Sequence, residues 1–287
     1  MKISDEDVNH FLTINKKTYM KEMNLSDRMK FYENYNKQYL SPNQYVLMRL
    51  DGKNFSKFTK KYFEKPFDYN FIEYMKFTME YLFNNISGCV AGYVQSDEIT
   101  LLLTDMKSVG MEGWFNYRVD KMCSIAAGMA SAKFNNHLTQ YLLVHNDYNN
   151  FYCNNNVISD INNIISNFPL PVFDCRVWNV PNESEAKNVF LWRQRDCIRN
   201  SVLQYAQKFF SHKELMNKNI DECKEMIRNK SDKYNIPWEN LNDYIKYGTF
   251  IFKEMNENGR MENYLISDMF KSVEYKFDEI FNNVVKY

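Results

Sequence analysis

The stretch "CVAGYVQSDEITLLLTD", residues 89–105, contains two short apolar runs that are separated by a polar break. Runs of this length on either side of a polar turn are typical of paired strands, so the stretch predicts a β-hairpin. Asp97 and Glu98 fall at the turn, and we interpret Asp105 as a charge at a strand end. A solvated turn would account for the two adjacent carboxylates, and the alternative is a metal site.

The segments around the hairpin predict an α+β fold. Short apolar runs indicate strands at 44–50 and 173–180, whereas apolar residues at three- and four-residue spacing indicate helices at 71–83 and 114–138. This order is typical of an antiparallel sheet with helices packed on one face.

Three parts are expected along the chain. N-terminal helices occupy residues 1–40, a catalytic core follows over 41–182, and a mainly helical part covers 183–287. Within the core, the Asn-rich segment 146–167 is too polar for burial and is interpreted as a surface insertion, with a short helix at 158–165. Further local predictions are an N-cap at Ser26 or Asp27, a capping box at Ser211 and Glu214, and a strand over 248–252.

The composition is that of an ordinary globular protein. The 287 residues are 45% hydrophobic and 25% charged, and 36 Lys and Arg balance 36 Asp and Glu, so any nucleic-acid partner requires a local basic patch. Six cysteines without a CxxC pair indicate free thiols in a reducing compartment. No apolar run approaches the length of a membrane span. We expect a soluble intracellular protein, with the cytoplasm favoured and a mitochondrial location left open.

Two aspartates could form a metal site. Asp51 ends the first predicted strand and Asp97 lies on the hairpin turn, so the carboxylates meet at one edge if the strand lies against the hairpin. Carboxylate oxygens, a backbone carbonyl and nucleotide phosphates are the ligands that Mg²⁺ accepts. Two such ions could orient an attacking oxygen and neutralise a leaving pyrophosphate. The alternative is two unrelated turn and strand-end aspartates.

A basic stretch follows Asp51. Gly52 permits a close approach of the backbone to a phosphate, and five lysines follow it. Such a run can be a solvated face, but phosphate binding explains it better beside two metal-competent aspartates. The lysines are Lys53, Lys57, Lys60, Lys61 and Lys65.

Seven motifs occur in an order that resembles the tRNA-His guanylyltransferase family, whose members add nucleotides in the 3′-to-5′ direction. The resemblance covers residues 25–255 and implies a sheet similar to the palm of ordinary polymerases. It also implies tRNA and nucleoside triphosphates as partners, ATP as the activating substrate, no membrane, and a homo-tetramer. The motifs are "RLDGKNFSKF", "KPFD", "QSDE", "FDCRVW", "WRQRDCIRNSVLQYAQ", "FSHKEL" and "KYGTFIFK".

One segment distinguishes two branches of this family. The enzyme that adds the identity nucleotide of histidine tRNA carries His-Ile-Asn-Asn in the helix after "WRQ", whereas this chain has Ile198, Arg199, Asn200 and Ser201. The chain is therefore more similar to the guanylyltransferase-like branch. This implies a template-dependent 3′-5′ nucleotidyltransferase that repairs the 5′ end of truncated tRNA after activation of its 5′-phosphate by ATP. The alternatives are addition of the extra 5′ G, a catalytically inactive tRNA-binding protein, and another palm enzyme such as a nucleotide cyclase.

The resemblance also assigns roles to residues. Asp51, Asp97 and the carbonyl of Gly52 match ligands of two Mg²⁺ ions, and Glu98 matches an acidic catalytic neighbour. The residues assigned to nucleotide binding are Asp51, Gly52, Lys53, Asn54, Phe55, Ser56, Lys65, Ser96, Asp97, Arg118, Lys121 and Asn200.

Three arginines follow Trp192 on the same predicted helix. Arg193, Arg195 and Arg199 could form a charged face that pairs with Asp196, or they could contact tRNA phosphates. The resemblance favours the second interpretation. It extends the predicted tRNA contacts to His212 and Lys213.

Overall fold

The computed structural model describes residues 23–106, 110–150, 170–230 and 236–283, and over 141–150 it describes the backbone alone. Two sequence predictions lie outside these residues: the first N-terminal helix and the short helix at 158–165. Most of the predicted insertion also lies outside them. Among the described helices, none combines the length and the apolar composition that a bilayer crossing requires.

A six-stranded antiparallel sheet forms the centre of the molecule, in the strand order β4-β1-β3-β2-β5-β6. The predicted hairpin forms the two central strands of the sheet, β2 and β3. The predicted α+β fold class is confirmed. The strands are β1 (Tyr45–Gly52), β2 (Cys89–Gln95), β3 (Glu98–Leu103), β4 (Phe173–Val180), β5 (Thr249–Met255) and β6 (Met261–Ile266).

The helices correspond closely to the periodic segments of the sequence, and the helix predicted at 71–83 is confirmed. They are α1 (Leu25–Asn34), α2 (Phe55–Tyr62), α3 (Tyr69–Asn85), α4 (Val119–Asn150), α5 (Glu183–Ala206), α6 (His212–Leu215), α7 (Ile220–Asn229), α8 (Asp243–Tyr247) and α9 (Phe270–Asn282).

Helix starts differ from the prediction in two places. Helix α1 is capped by Asn24, whose side chain accepts the N–H of Asp27 at 2.9 Å, so Ser26 and Asp27 lie inside the first turn. Helix α4 begins at Val119 and not at 114, because residues 115 and 116 adopt left-handed backbone angles in a 3₁₀ turn. The capping box of Ser211 and Glu214 is confirmed at the start of α6.

Helices cover both faces of the sheet, whereas the sequence predicted one covered face. Alternate residues of β1 explain the two layers, because successive strand side chains point to opposite faces. Met48 and its neighbours pack against α3 and α4, and Leu47 and its neighbours pack against α5 and α9. Strands β2 and β3 are accordingly buried along their whole length.

The part after residue 182 does not form a separate helical unit. Strand β5 pairs with β2, with Gly92 opposite Ile251, and β6 continues the sheet. The predicted strand at 248–252 is therefore confirmed, but the boundary at 182/183 was wrong as a structural division. A separate apolar cluster does form between the end of α5, α7 and Trp238.

The side chain of Gln194 joins α5 to this C-terminal part. Its amide nitrogen donates to the carbonyls of Tyr247 at 3.0 Å and Asp268 at 2.8 Å, and its oxygen accepts the N–H of Phe270 at 2.5 Å. Gln194 is 3% exposed. One buried amide thus bonds three backbone groups, at the end of α8 and around the start of α9.

Gln194→Leu is expected to lower the free energy of unfolding by about 2–5 kcal/mol, because the Asp268 carbonyl and the Phe270 N–H would each lose their partner at a cost of ~1–3 kcal/mol. The Tyr247 carbonyl would keep its hydrogen bond from the Tyr93 hydroxyl. Urea denaturation measures the change. The matched control, Arg195→Leu, replaces an exposed neighbour on the same helix and should change stability by no more than about 0.5 kcal/mol. Equal losses in the two variants would contradict this role of Gln194.

Candidate active site

Asp51 and Asp97 meet at one end of the sheet. Asp51 is the penultimate residue of β1, and Asp97 lies in the tight turn between β2 and β3. The N–H of Gly52 donates to the carbonyl of Asp97 at 3.0 Å, which fixes the turn against the strand. Ser96 takes a left-handed φ of 47° and its hydroxyl donates to the Asp97 carboxylate at 3.0 Å. The structure thus brings the two predicted carboxylates together.

A row of acids crosses three strands beside this turn. Asp174 of β4, Asp51 of β1 and Glu98 of β3 lie directly opposite one another in the register. Directly opposite residues share a face, so all three belong to the face that α5 covers in part. The sequence prediction missed Asp174. The acid in "FDCRVW" could have been found by pairing the fourth strand antiparallel with the first.

Burial and mutual repulsion raise the pKa values of both aspartates. For Asp51, burial is the larger cause and the charge of Asp174 the next, with Arg49, Arg176 and Arg193 opposing them. For Asp97, burial again comes first and the charge of Asp51 second, opposed in part by hydrogen bonds and by Lys65. The nearby cations therefore do not fully offset the cost of burial and of mutual repulsion of the two carboxylates.

Glu98 is engaged differently, by two guanidinium groups. Its carboxylate lies 2.7 Å from Nε of Arg193 and 3.8 Å from Nε of Arg49. Burial raises the pKa of Glu98, and the two arginines lower it. In this arrangement Glu98 anchors α5 to the sheet, and its catalytic role stays a prediction.

The predicted tRNA contact at Arg193 is wrong, because Arg193 is 6% exposed and lies between Glu98 and Asp196, the latter at 2.5 Å. A helix that packs on a sheet buries the residues that face it, whatever their charge. The other four predicted tRNA contacts are exposed and stay predictions. They are Arg195, Arg199, His212 and Lys213.

A cavity of about 550 Å³ opens beside Asp97, between α2, the 63–72 segment and the second half of α5. Lys60, Lys65 and Lys208 reach it from three different segments. Lys208 has no local sequence signal that distinguishes it from a solvated lysine at a helix end, and it was not among the predicted site residues. The predicted nucleotide-binding residues that line the cavity are Phe55, Ser56, Lys65, Ser96, Asp97 and Asn200.

The remaining predicted residues near Asp51 have clear structural roles. A Cβ on Gly52 would lie 2.4 Å from the ring of Phe55, so the glycine makes room for that ring and not only for a phosphate. Phe55 is itself 1% exposed and packs against Phe134 and other rings of the core. Lys53 and Asn54 are exposed, and Asn54 begins α2 with a left-handed φ of 60°.

The structure does not bring Arg118 and Lys121 to this site. Arg118 forms a bridge with Tyr39 at the opposite end of the sheet, where β1 begins, and it pairs with Asp120. Lys121 follows in the first turn of α4. The length of β1, eight residues, separates both side chains from Asp51. Their assignment to nucleotide binding at the Asp51 site is therefore not supported within one chain.

Comparison with known proteins identifies the fold and its chemistry. Residues 26–181 match the family model described as tRNAHis guanylyltransferase. An uncharacterized protein of Acanthamoeba polyphaga mimivirus is 32% identical over 256 residues, which cover 86% of this chain and 83% of that protein. The tRNA(His) guanylyltransferase of Debaryomyces hansenii is 27% identical over 75% of this chain and 76% of its own length.

Solved structures agree with these matches. A bacterial tRNA(His) guanylyltransferase (Thg1)-like protein in complex with ATP superimposes with a TM-score of 0.72 at 30% identity, over 90% of this chain and 99% of that one. A second such structure, in complex with GTP, gives a TM-score of 0.65 at 28% identity, over 90% of this chain and 99% of that one. The chain belongs to the tRNA(His) guanylyltransferase family and is a nucleotidyltransferase, as its motifs predicted.

Proposed function

We propose that this enzyme adds nucleotides to the 5′ end of truncated tRNA in the 3′-to-5′ direction, with the opposite strand as template and Mg²⁺ as cofactor. The observation that carries the proposal is the pair Asp51 and Asp97, of which Asp97 lines a cavity that three lysines also line. The likeness to bacterial proteins bound to ATP and to GTP supports it.

The cavity has the chemistry that a nucleoside triphosphate requires. Its volume of about 550 Å³ is within the range of small-molecule sites. Lys60, Lys65 and Lys208 supply positive charge for phosphate oxygens, and Asn200 adds an amide that can bind polar groups. A triphosphate in the cavity would lie beside Asp97.

The acidic residues fit a divalent cation. Asp51 and Asp97 offer hard oxygen ligands and repel each other without full compensation, which a bound cation would relieve. Among the described residues, no three His, Cys, Asp or Glu side chains form a metal-binding group. Mg²⁺ at this position would need further oxygens from water, substrate phosphates or the Gly52 carbonyl, which is the ligand set that it ordinarily takes.

The proposed reaction has two phosphoryl transfers. An oxygen of the tRNA 5′-phosphate attacks the α-phosphate of ATP and releases pyrophosphate, and the 3′-hydroxyl of the incoming nucleotide then attacks the activated end and releases AMP. Asp51 and Asp97 would hold Mg²⁺, and the ion would neutralise charge that develops on the phosphates. The lysines position the triphosphate, and the cavity wall restricts its orientation.

Templated addition is favoured over addition of a single guanylate. At the position of the family's histidine, Ile198 packs against the apolar cluster of the C-terminal part. Ser201 lies nearby, and its hydroxyl accepts the indole N–H of Trp238 at 3.1 Å. Ile198 thus has a packing role at the position where the other branch carries the imidazole of a histidine. Guanylate addition is the alternative, since curated relatives carry that name.

A homo-tetramer, as the resemblance implies, is part of the proposal. Within the described residues, α1 has no buried residue and leaves Leu25, Met29 and Tyr32 exposed. A second copy could cover these side chains. It could also supply the basic residues that one chain holds far from Asp51, namely Arg118 and Lys121.

The function is tested with a tRNA that lacks its first 5′ nucleotide and carries a labelled 5′-phosphate, incubated with ATP, Mg²⁺ and each nucleoside triphosphate in turn. Only nucleotides complementary to the opposite strand should be added. Asp97→Asn should lower the rate roughly 10³-fold or more, because metal-assisted charge stabilisation contributes several kcal/mol, while tRNA affinity stays nearly unchanged. Addition of G against any opposing base would establish the alternative, and tRNA binding without any extension would contradict both.

Lys65→Ala should raise the KM for the incoming nucleotide roughly tenfold, because one charge-assisted contact to the triphosphate is lost. The matched control is Lys61→Ala. Lys61 lies on the same basic stretch but outside the cavity, with its ammonium 4.9 Å from the ring of Tyr62. Steady-state kinetics with both variants measures the difference. Equal KM values would show that the cavity does not bind the triphosphate.

Asp97→Asn should raise the Tm of the metal-free enzyme at neutral pH by a few degrees, at about 2–4 °C per kcal/mol for a domain of this size. The pKa of folded Asp97 is raised above 3.8, so the folded state binds the proton more tightly than the unfolded state does. The free-energy penalty for holding a charged Asp97 in the folded protein is absent below the pKa of the unfolded state and complete above the pKa of the folded state. The gain should therefore disappear in acid.

Mg²⁺ should raise the Tm of the wild type and change that of Asp97→Asn much less. Glu257→Gln, which removes one exposed carboxylate in the turn between β5 and β6, is the control for loss of charge. It should respond to Mg²⁺ like the wild type. A wild type whose Tm does not respond to millimolar Mg²⁺ would contradict the metal assignment.

A further inference from the structure

The sheet edge beside Asp51 carries exposed residues that do not line the cavity. Strand β4 is the edge of the sheet, and Asp174 and Arg176 stand exposed there on the face that α5 covers only in part. We call the space between α5 and β4 the edge groove. Its floor is formed by Arg49 and Asp51 of β1, and its wall on α5 is Trp192.

Trp192 is the most exposed of the four tryptophans, at 52%. Guanidinium groups hold its ring, that of Arg193 at 4.2 Å and that of Arg49 at 5.6 Å from the ring centroid. Arg193 is in turn fixed by its ion pair with Glu98. A large aromatic side chain is therefore fixed in position with half of its surface open to solvent.

Further arginines lie on the same side of α5 and on the neighbouring edge strand. Arg195 and Arg199 follow Trp192 at spacings of three and seven residues, which places them on the same side of α5. Both are exposed, and within the described part of the chain neither has an ion pair. Arg176 lies across the groove, directly opposite Arg49 in the register, with Asp174 at 3.8 Å. A fixed aromatic plane with exposed guanidinium groups nearby can stack against the open face of a base and bind the neighbouring phosphates.

We propose that Trp192 stacks against the terminal base at the 5′ end of the RNA substrate, while Arg176 and Arg199 bind the phosphates that follow it. Asp51 is two residues beyond Arg49 on the same face of β1, about 7 Å along the strand. A base stacked on Trp192 would thus hold its 5′-phosphate close to the acidic row. This inference rests on the proposed function, because it names how the RNA end reaches the same carboxylates from the side opposite the triphosphate.

The test uses tRNA with 2-aminopurine as its 5′-terminal base and, in a second arm, 2-aminopurine riboside triphosphate. In the wild type, binding should quench the fluorescence of the RNA probe by stacking. Trp192→Leu should lose this quenching and raise the KM for RNA roughly 5- to 150-fold, with little change in kcat, because base stacking contributes ~1–3 kcal/mol. Trp192→Phe, which keeps an aromatic ring, should retain most of the quenching and a KM for RNA close to that of the wild type. The KM for the triphosphate should not change.

Tyr275→Leu is the matched control, since it removes an exposed aromatic residue on α9 and should leave both probes unaffected. Thermal denaturation of each variant identifies loss of folding, and quenching in the wild type tests the contact without any substitution. Unquenched RNA probe, or Trp192→Leu kinetics equal to those of Tyr275→Leu, would overturn the proposal. So would an effect on the triphosphate arm alone.

The outcome for the edge groove and the outcome for the proposed function can be separated. If the wild type extends truncated tRNA and Trp192→Leu does so with an unchanged KM for RNA, the stacking proposal fails and the function stands. If the wild type quenches the RNA probe through Trp192 but extends no 5′ end, the stacking proposal stands and the function fails.

Discussion

The antiparallel pairing of β1 with β3 forces two acidic residues together, and the rest of the site depends on this constraint. The register sets Asp51 opposite Glu98, and the N–H of Gly52 donates to the carbonyl of Asp97, so neither aspartate can move away from the other. A shift of one residue would turn Asp51 to the other face of the sheet. The burial of Val46, Met48 and Leu50 on that other face opposes such a shift. The apolar core thus maintains the electrostatic repulsion between Asp51 and Asp97, which the proposed cation would relieve.

The ion pair of Arg193 and Glu98 fixes the position of α5 on the sheet. Both side chains are nearly buried, and the guanidinium group lies 2.7 Å from the carboxylate. Buried ion pairs contribute little net stability, but loss of one partner is costly, so they fix the position of the elements that carry them. Helix α5 therefore presents Asn200 to the cavity and Trp192 to the edge groove in a fixed orientation.

Local sequence patterns predicted the hairpin, the helix at 71–83, the strand at 173–180 and the meeting of Asp51 with Asp97. Each depends on periodicity within one segment or on the pairing of adjacent strands. The pairing of β5 with β2 could not be read in this way, because it joins residues more than 150 positions apart along the chain. The burial of Arg193 also escaped prediction. Its spacing placed it among charged neighbours, and only the sheet beneath α5 determines which arginine is covered.

The same limit applies to Arg118 and Lys121. A resemblance assigns residues to a site without stating which copy of the chain supplies them, and the distance along β1 separates these two from Asp51. Asp174 shows the reverse case. It has no distinguishing local signal, yet the register places it beside Asp51, where its charge raises the pKa of that residue.

The side chains around the cavity indicate where the nucleophiles must come from. Burial raises the pKa of the Cys197 thiol to about 12, so it stays protonated at neutral pH and is a poor nucleophile. The hydroxyl of Ser201 accepts a hydrogen bond from Trp238 and donates one to the carbonyl of Ile198. Neither Cys197 nor Ser201 is set up to attack a phosphate, which agrees with the proposed reaction, in which the attacking oxygens belong to the substrates. If the cavity binds the triphosphate and the edge groove binds the RNA end, as proposed above, the two substrates reach one acidic row from opposite sides. Two successive phosphoryl transfers at one site would require such an arrangement.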